Sequence, residues 1–231
     1  MFGRRSKNGS PPAPEPLLDD EAAVDEPIAD GPLEHGPWDS SEVDEVAEGE
    51  PDGLLDLGSV RIPIVEGSQI QVEMEDSGVL RSVHLITEDG RITVAAFAAP
   101  RSAGLWREVA AELAQGLRAD QAQVTVGEGP WGREVLGVSP TGAMRFLGAD
   151  GPRWMVRCVA AGPPSTADAL LETAREVLRD TVVVRGDEPL PVRTALPVTL
   201  PEVLAQQLEA ARQQAAAQLA TEADQRPPAP A

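Results

Sequence analysis

The chain of 231 residues contains no tyrosine, one cysteine and two histidines, and aromatic residues make up only 3% of it. A single cysteine, Cys158, excludes a disulfide framework and a zinc site built from cysteines. The longest apolar run, residues 94–99, is far shorter than the roughly 20 residues of a membrane-spanning helix. The basic start, Arg4, Arg5 and Lys7, is not followed by the apolar segment of a secretory signal. We therefore expect a soluble, cytoplasmic protein.

Acidic side chains outnumber basic ones by 38 to 19, which gives a formal net charge of −19. Such a charge repels nucleic-acid phosphate, so we expect no direct nucleic-acid partner, and we expect no membrane partner. Residues 1–56 hold 16 acidic and 3 basic side chains together with eight prolines. This composition is typical of a disordered acidic arm. The arm has two interpretations, as a solubilising segment or as a binding segment for a basic protein partner.

Residues 57–198 are expected to form a single α+β domain built mainly from antiparallel sheet. Every second residue of the segment 69–75 is apolar, which predicts a strand with one buried and one solvated face. Pro63 lies in the preceding predicted strand and favours an edge position for that strand. The dipeptide Asp89-Gly90 predicts a tight hairpin between two further strands.

Two amphipathic helices are predicted inside this domain. The first has apolar residues at every fourth position: Leu105, Val109, Leu113 and Leu117. The second is predicted over residues 167–179. A third, C-terminal helix is predicted over residues 199–225, because Thr199 can cap it and Pro201 is compatible with its first turn. Residues 226–231 are expected to be a disordered tail.

The order strand, Asp-Gly, strand, helix, valine-rich strand occurs twice, over about residues 79–138 and 142–193. It indicates either a duplicated β-β-α-β unit or chance convergence, because Asp-Gly hairpins are common. A duplication predicts two helices on one face of a continuous sheet.

Motifs that carry chemistry are weak in this sequence. Residues 127–132 match the pattern G-x-G-x-x-G, but the residues that follow predict a strand, whereas a dinucleotide site needs a helix there. We therefore interpret the motif as a turn between strands. His84 is a candidate general base, yet no serine elbow accompanies it. Cys158 is interpreted as a small core residue. We predict no catalytic, metal-binding or cofactor-binding residue and no cofactor.

Two pairs of residues are candidates for binding. Trp131 lies in a Gly/Pro loop beside Arg133, a composition typical of a protein-binding hot spot. The alternative is that this loop packs on its own sheet. Arg91 and Arg153 follow the two Asp-Gly hairpins at equivalent positions and are candidates for clamping an anion. The alternative for these two arginines is a solvated position at the hairpin ends.

Four segments resemble a known family: LGSVRIP at 57–63, GLWREV at 104–109, DGPRWM at 150–155 and DTVVVRGDEPLP at 180–191. They are similar to the uncharacterised actinobacterial domain-of-unknown-function family numbered thirty-seven ten. The resemblance covers residues 54–205 and the opening MFGRR. It implies an actinobacterial host, which the 18 arginines against one lysine fit. Members are often encoded near a dUTPase, which implies an association with nucleotide metabolism but supplies no catalytic motif, cofactor or activity.

We therefore expect a non-catalytic, cytoplasmic protein-interaction module, whose binding face includes Trp131 and Arg133. The alternative is a small-molecule or nucleotide-binding domain, with or without enzymatic activity, whose pocket lies between the two repeat halves.

Overall fold

The computed structural model describes residues 35–43, 53–75 and 80–224. Within these ranges the chain forms strands and helices of the predicted α+β class. In chain order the strands are β1 (Trp38–Asp39), β2 (Leu54–Asp56), β3 (Val60–Pro63), β4 (Gln69–Met74), β5 (Leu80–Ile86), β6 (Arg91–Ala98), β7 (Gln123–Gly129), β8 (Gly132–Ser139), β9 (Gly142–Gly151), β10 (Trp154–Gly162) and β11 (Val182–Val183). The α-helices are α1 (Ser40–Val43), α2 (Leu105–Ala119), α3 (Ala167–Arg179) and α4 (Glu202–Asp224).

Seven strands form the larger sheet, in the order β4-β5-β6-β10-β9-β8-β7. All of its neighbouring strands are antiparallel, as the alternation of apolar and polar residues predicts. Asp89-Gly90 connects β5 to β6, so the predicted hairpin is confirmed. This sheet is the scaffold to which both long internal helices attach.

Helices α2 and α3 cover opposite faces of the larger sheet. Met155 of β10 packs in the cluster that contains α2, whereas the next residue, Val156, packs in the cluster that contains α3. Successive side chains of a strand point to opposite faces, so the two helices lie on opposite sides. The expectation of two helices on one face is wrong. The order of strand and helix along the chain does not determine the side of the sheet on which each connection passes.

The last strands of the two predicted repeats also differ in position. Strand β7 completes the larger sheet, whereas β11 belongs to a smaller sheet with the order β1-β11-β3-β2. The strand with Pro63 is therefore interior, and its predicted edge position is wrong. Pro63 is tolerated because β11 pairs only with Val60 and Arg61, so the missing N–H of Pro63 faces no partner strand there.

Part of the predicted acidic arm belongs to the folded domain. Strand β1 pairs in parallel with β11, and the Trp38 amide donates to the carbonyl of Thr181 at 2.9 Å. The indole N–H of Trp154 donates to the buried Asp39 carboxylate at 2.6 Å. The predicted boundary after residue 56 is therefore too late. Strand β2 (Leu54–Asp56) also lies in the predicted arm, and it pairs with β3. Residues 1–34 and 44–52 of that arm, and the predicted tail 226–231, lie outside the described residues.

The helical predictions agree with the structure. Helix α2 begins at Leu105, α3 spans the predicted 167–179, and α4 begins at Glu202, three residues after the predicted start. Leu200 and Leu204 pack against the hydrophobic cluster that contains α3, so the start of α4 is attached to the domain. None of the helices in the described part of the chain has the length and apolar character required to cross a membrane.

Candidate functional site

Trp131 lies in the turn between β7 and β8, and it contacts its own chain. Its half-buried side chain packs against the hydrophobic cluster that contains α3, and its indole N–H donates to the Gly36 carbonyl oxygen. The residues that follow the turn form β8, so the interpretation of the 127–132 motif as a turn between strands is confirmed. The carbonyl of Arg133 accepts a hydrogen bond from the indole of Trp106 at 2.9 Å. The indole nitrogen of Trp131 therefore forms its hydrogen bond within the domain.

Arg91 and Arg153 lie at opposite ends of the β6–β10 pair. Arg91 is in register with Ala161, whereas Trp154, which follows Arg153, is in register with Ala98. Seven residues of extended strand separate the two ends, a distance of about 23 Å. The prediction that these two arginines clamp one anion is therefore wrong, because the antiparallel pairing of β6 and β10 brings together the start of one strand and the end of the other.

His84 lies in a polar cluster that joins three strands. The residue is only 6% exposed, and its Nδ1 lies 2.6 Å from Oγ1 of Thr93 on β6. Its Nε2 lies 3.0 Å from Oγ of Ser82 on β5 and 3.2 Å from Oε2 of Glu73 on β4. A base between a hydroxyl and a carboxylate is the arrangement that activates a nucleophile. Here the histidine is buried and its contacts join β4, β5 and β6, so the cluster links three strands of the sheet.

The Glu73 carboxylate makes the stability of this link dependent on pH. Its hydrogen bonds with His84 and then with Ser82 hold the pKa of Glu73 below its ordinary value of 4.5. A carboxyl whose folded pKa is depressed stabilises the fold above its unfolded pKa, and this contribution is lost as pH falls through the folded pKa. We expect Glu73→Gln to remove part of the loss of stability in acid, measured as urea midpoints between about pH 3 and pH 6.

The matched control for Glu73 is Glu66→Gln, at an exposed turn position before β4. This variant should keep the pH dependence of the wild-type chain. Equal pH profiles for Glu73→Gln and the wild type would contradict the assignment.

Cys158 is a core residue, as predicted. Its side chain is fully buried against α3, with Sγ 3.9 Å from the carbonyl oxygen of Ala174. Burial raises the pKa of the Cys158 thiol to about 12. The thiolate is therefore not formed near neutral pH, and the thiolate is the reactive form of cysteine.

Strand β7 is an open edge of the larger sheet. It pairs with β8 without interruption, from Gln123 opposite Val138 to Gly129 opposite Gly132. No strand in the described ranges pairs with its other side. Alternate residues of such a strand direct their backbone N–H and C=O groups outward, where another strand can bind them.

The opposite edge of the sheet, β4, has an irregularity that hinders strand pairing, and β7 lacks it. Strand β4 contains a register shift between Glu73 and Met74, whereas the pairing of β7 with β8 is regular. Bulges are among the usual means by which proteins protect edge strands. Strand β7 contains no proline, no lysine and no register shift, and Val126 on it is 42% exposed. This edge is thus suited to the addition of a strand.

Residues 36–207 match a family described as "Protein of unknown function (DUF3710)". The chain belongs to the DUF3710 family. The resemblance inferred from the sequence is therefore confirmed. Comparisons with curated proteins and with solved structures give no match. The DUF3710 region begins at Gly36, next to the strand pair of β1 with β11, which agrees with the early start of the folded domain.

Reasoning from the sequence missed the open edge in this DUF3710 protein. The segment 123–126 reads Gln-Val-Thr-Val, which predicts a strand but not its place in the sheet. The absence of charge from these four residues is the signal that was available. The partners of His84 were also missed, because they lie on three different strands and share no sequence motif.

Proposed function

We propose that this DUF3710 protein is a non-catalytic interaction module of the cytoplasm, which binds an extended protein segment along β7. The observation that carries the proposal is the open, regular edge of this seven-residue strand. An added strand gains backbone hydrogen bonds from alternate residues of β7, each with a net value of about 1 kcal/mol. Affinity would thus come from the backbone, and side chains next to it would select the partner.

Side chains on both faces of β7 are available for selection. Val126 is in register with Val135, which packs under α2, so Val126 presents an exposed apolar surface on the α2 face. Thr125 is exposed on the other face. Glu128, also exposed, is the single charged residue of the strand. These features favour a partner with small apolar residues and without acidic residues opposite Glu128.

Photo-crosslinking tests this proposal. We expect benzoyl-phenylalanine at position 126 of the full chain to form a light-dependent adduct with another polypeptide molecule. The matched control is the same group at Ile64, which is 50% exposed but lies outside β7. A Thr125→Pro substitution in the same chain should abolish the adduct, because proline lacks a backbone N–H and interrupts β7 where Thr125 is in register with Leu136 of β8. Equal adducts at both positions, or none at position 126, would overturn the proposal.

A small-molecule site is the second candidate function, and one observation favours it. A concavity of about 530 Å³ opens at one end of the larger sheet, and its lining includes Arg91, Ser139, Thr141 and Met144. This volume is within the range of ligand pockets. A rise in melting temperature with a nucleotide, abolished by Arg91→Ala, would support this candidate.

A further inference from the structure

We infer that the segment bound along β7 is β7 of a second copy of this chain, in antiparallel register about a two-fold axis. This inference rests on the proposed function. It is carried by the distribution of charge and of apolar side chains along the strand, since a strand that pairs with itself must tolerate its own sequence in reverse order.

The charge on β7 is compatible with antiparallel self-pairing. Glu128 is the single charged residue of the strand, and it lies near the C-terminal end. If Val126 faces Val126 of the second copy, each Glu128 faces Val124 of that copy. The two carboxylates are then about 13 Å apart along the strand direction. This separation exceeds the Debye length of about 8 Å at physiological ionic strength, so their repulsion is largely screened.

The apolar side chains of β7 are also compatible with this register. Val124 and Val126 lie on the face covered by α2, because they are in register with Gly137 and Val135. In the pair, the exposed Val126 side chain would contact the same residue of the second copy, and pairs of β-branched residues stabilise neighbouring strands. On the other face, Thr125 would lie opposite Gly127, which has no side chain to obstruct it.

The two-fold axis also brings the helices together. An axis perpendicular to the sheet leaves both copies of α2 on the same face, and α2 contacts β7 in each copy. The two helices would therefore flank the new strand pair. Half-buried apolar residues at this end of the α2 cluster, Leu117 and Val124, would lose solvent exposure.

The net charge distinguishes a second copy from a basic partner. Two chains of charge −19 repel each other at long range, and salt screens this repulsion without weakening backbone hydrogen bonds or apolar contacts. Self-association through β7 should therefore become tighter as salt is added. Binding of a basic segment to this acidic chain should become weaker.

Sedimentation velocity on the full chain tests the inference. We expect a concentration-dependent dimer that is tighter at about 300 mM than at about 20 mM salt. Val126→Lys places like charges opposite each other and should raise the dimer Kd by about tenfold or more. Val126→Thr keeps a β-branched side chain and should keep the dimer. Unchanged circular dichroism of both variants would show that the fold is intact.

A disulfide test gives the register independently of affinity. Val126→Cys should form an intermolecular disulfide on oxidation, because the two Cβ atoms at the axis lie within the reach of a disulfide. The single native cysteine, Cys158, is buried and does not compete. Ile64→Cys is the control and should not form a disulfide-linked dimer.

The outcomes separate the inference from the proposed function. A chain that is monomeric at every concentration and salt, while the crosslinker at position 126 still captures another protein, overturns the inference and leaves the proposed function. A monomer without any adduct overturns both. A dimer that Val126→Lys leaves unchanged, or that becomes weaker with salt, also overturns the inference.

Discussion

Replacing Glu134 with alanine is expected to lower the free energy of unfolding by about 3 kcal/mol or more. Glu134 lies on β8 and is only 6% exposed. Arg175 of α3 donates from Nε to Oε1 of Glu134 and from Nη2 to Oε2 of Glu134, each at 3.0 Å. The guanidinium of Arg145 lies 3.6 Å from the same carboxylate. Loss of Glu134 therefore leaves two arginines without their buried counter-charge.

The remaining partners of these arginines offer little compensation. Glu172 and Asp168, which contact Arg175 and Arg145, have mostly or fully exposed side chains. The Nε of Arg145 is buried and has no hydrogen-bond partner within the described residues. The same contact with Glu134 raises the pKa of Arg175, so Arg175 keeps its charge and its need for a partner.

Urea unfolding checks this prediction, with Glu172→Ala as the matched control. Glu172 contacts the same arginine at 3.0 Å, but its carboxylate is exposed. Its removal should therefore change the free energy of unfolding by about 0.5 kcal/mol or less. Similar losses for Glu134→Ala and Glu172→Ala would contradict a buried, stabilising pair. Because Glu134 joins β8 to α3, its loss should also loosen the support of β7.

Gly148→Ala should be the second strongly destabilising substitution, at about 2 kcal/mol. A Cβ atom at Gly148 on β9 would lie 2.5 Å from ring atoms of Trp106, which is 2% exposed. The ring cannot move away easily. The indole N–H of Trp106 donates to the carbonyl oxygen of Arg133. The backbone N–H of Trp106 donates to the carboxylate of Asp150 at 3.0 Å. The extra methyl group must therefore displace either the sheet or helix α2.

Thermal and urea unfolding should distinguish the destabilisation by Gly148→Ala from the effect of the same substitution at a glycine where an added Cβ meets no other atom. Gly116, exposed on the same helix as Trp106, has no heavy atom within 4 Å of an added Cβ. Gly116→Ala should stabilise the chain, by up to about 1 kcal/mol, because alanine is the better helix former. If Gly148→Ala stabilised the chain as well, the proposed tight contact with Trp106 would be wrong.

The strongest local patterns in the sequence predicted the elements that the structure contains. The spacing of Leu105, Val109, Leu113 and Leu117 predicts α2, and the alternation over residues 69–75 predicts β4. The dipeptide Asp89-Gly90 predicts the hairpin between β5 and β6. These features follow from interactions between residues close in the chain, so they can be read without knowledge of the remaining fold.

The candidate binding residues were less accessible to sequence reasoning. Trp131 was predicted in a loop, but its contact with Gly36, almost one hundred residues earlier, is a tertiary contact. Arg91 and Arg153 follow equivalent hairpins, yet the pairing of β6 with β10 separates them. Sequence equivalence does not give spatial proximity, because proximity depends on strand order.

The amino-acid sequence by itself determined the α+β class, the presence of α2, the bounds of α3 and the inert, buried character of Cys158. Periodicity, turn residues and hydrophobicity are properties of residues that are neighbours in the chain, so they can be recognised from short segments. Only the tertiary structure decided that α2 and α3 lie on opposite faces, that the strand with Pro63 is interior and that β7 is left as an open edge. Strand order and the side of each connection result from the competition of distant segments for the same buried surface. No short segment of the chain contains that information.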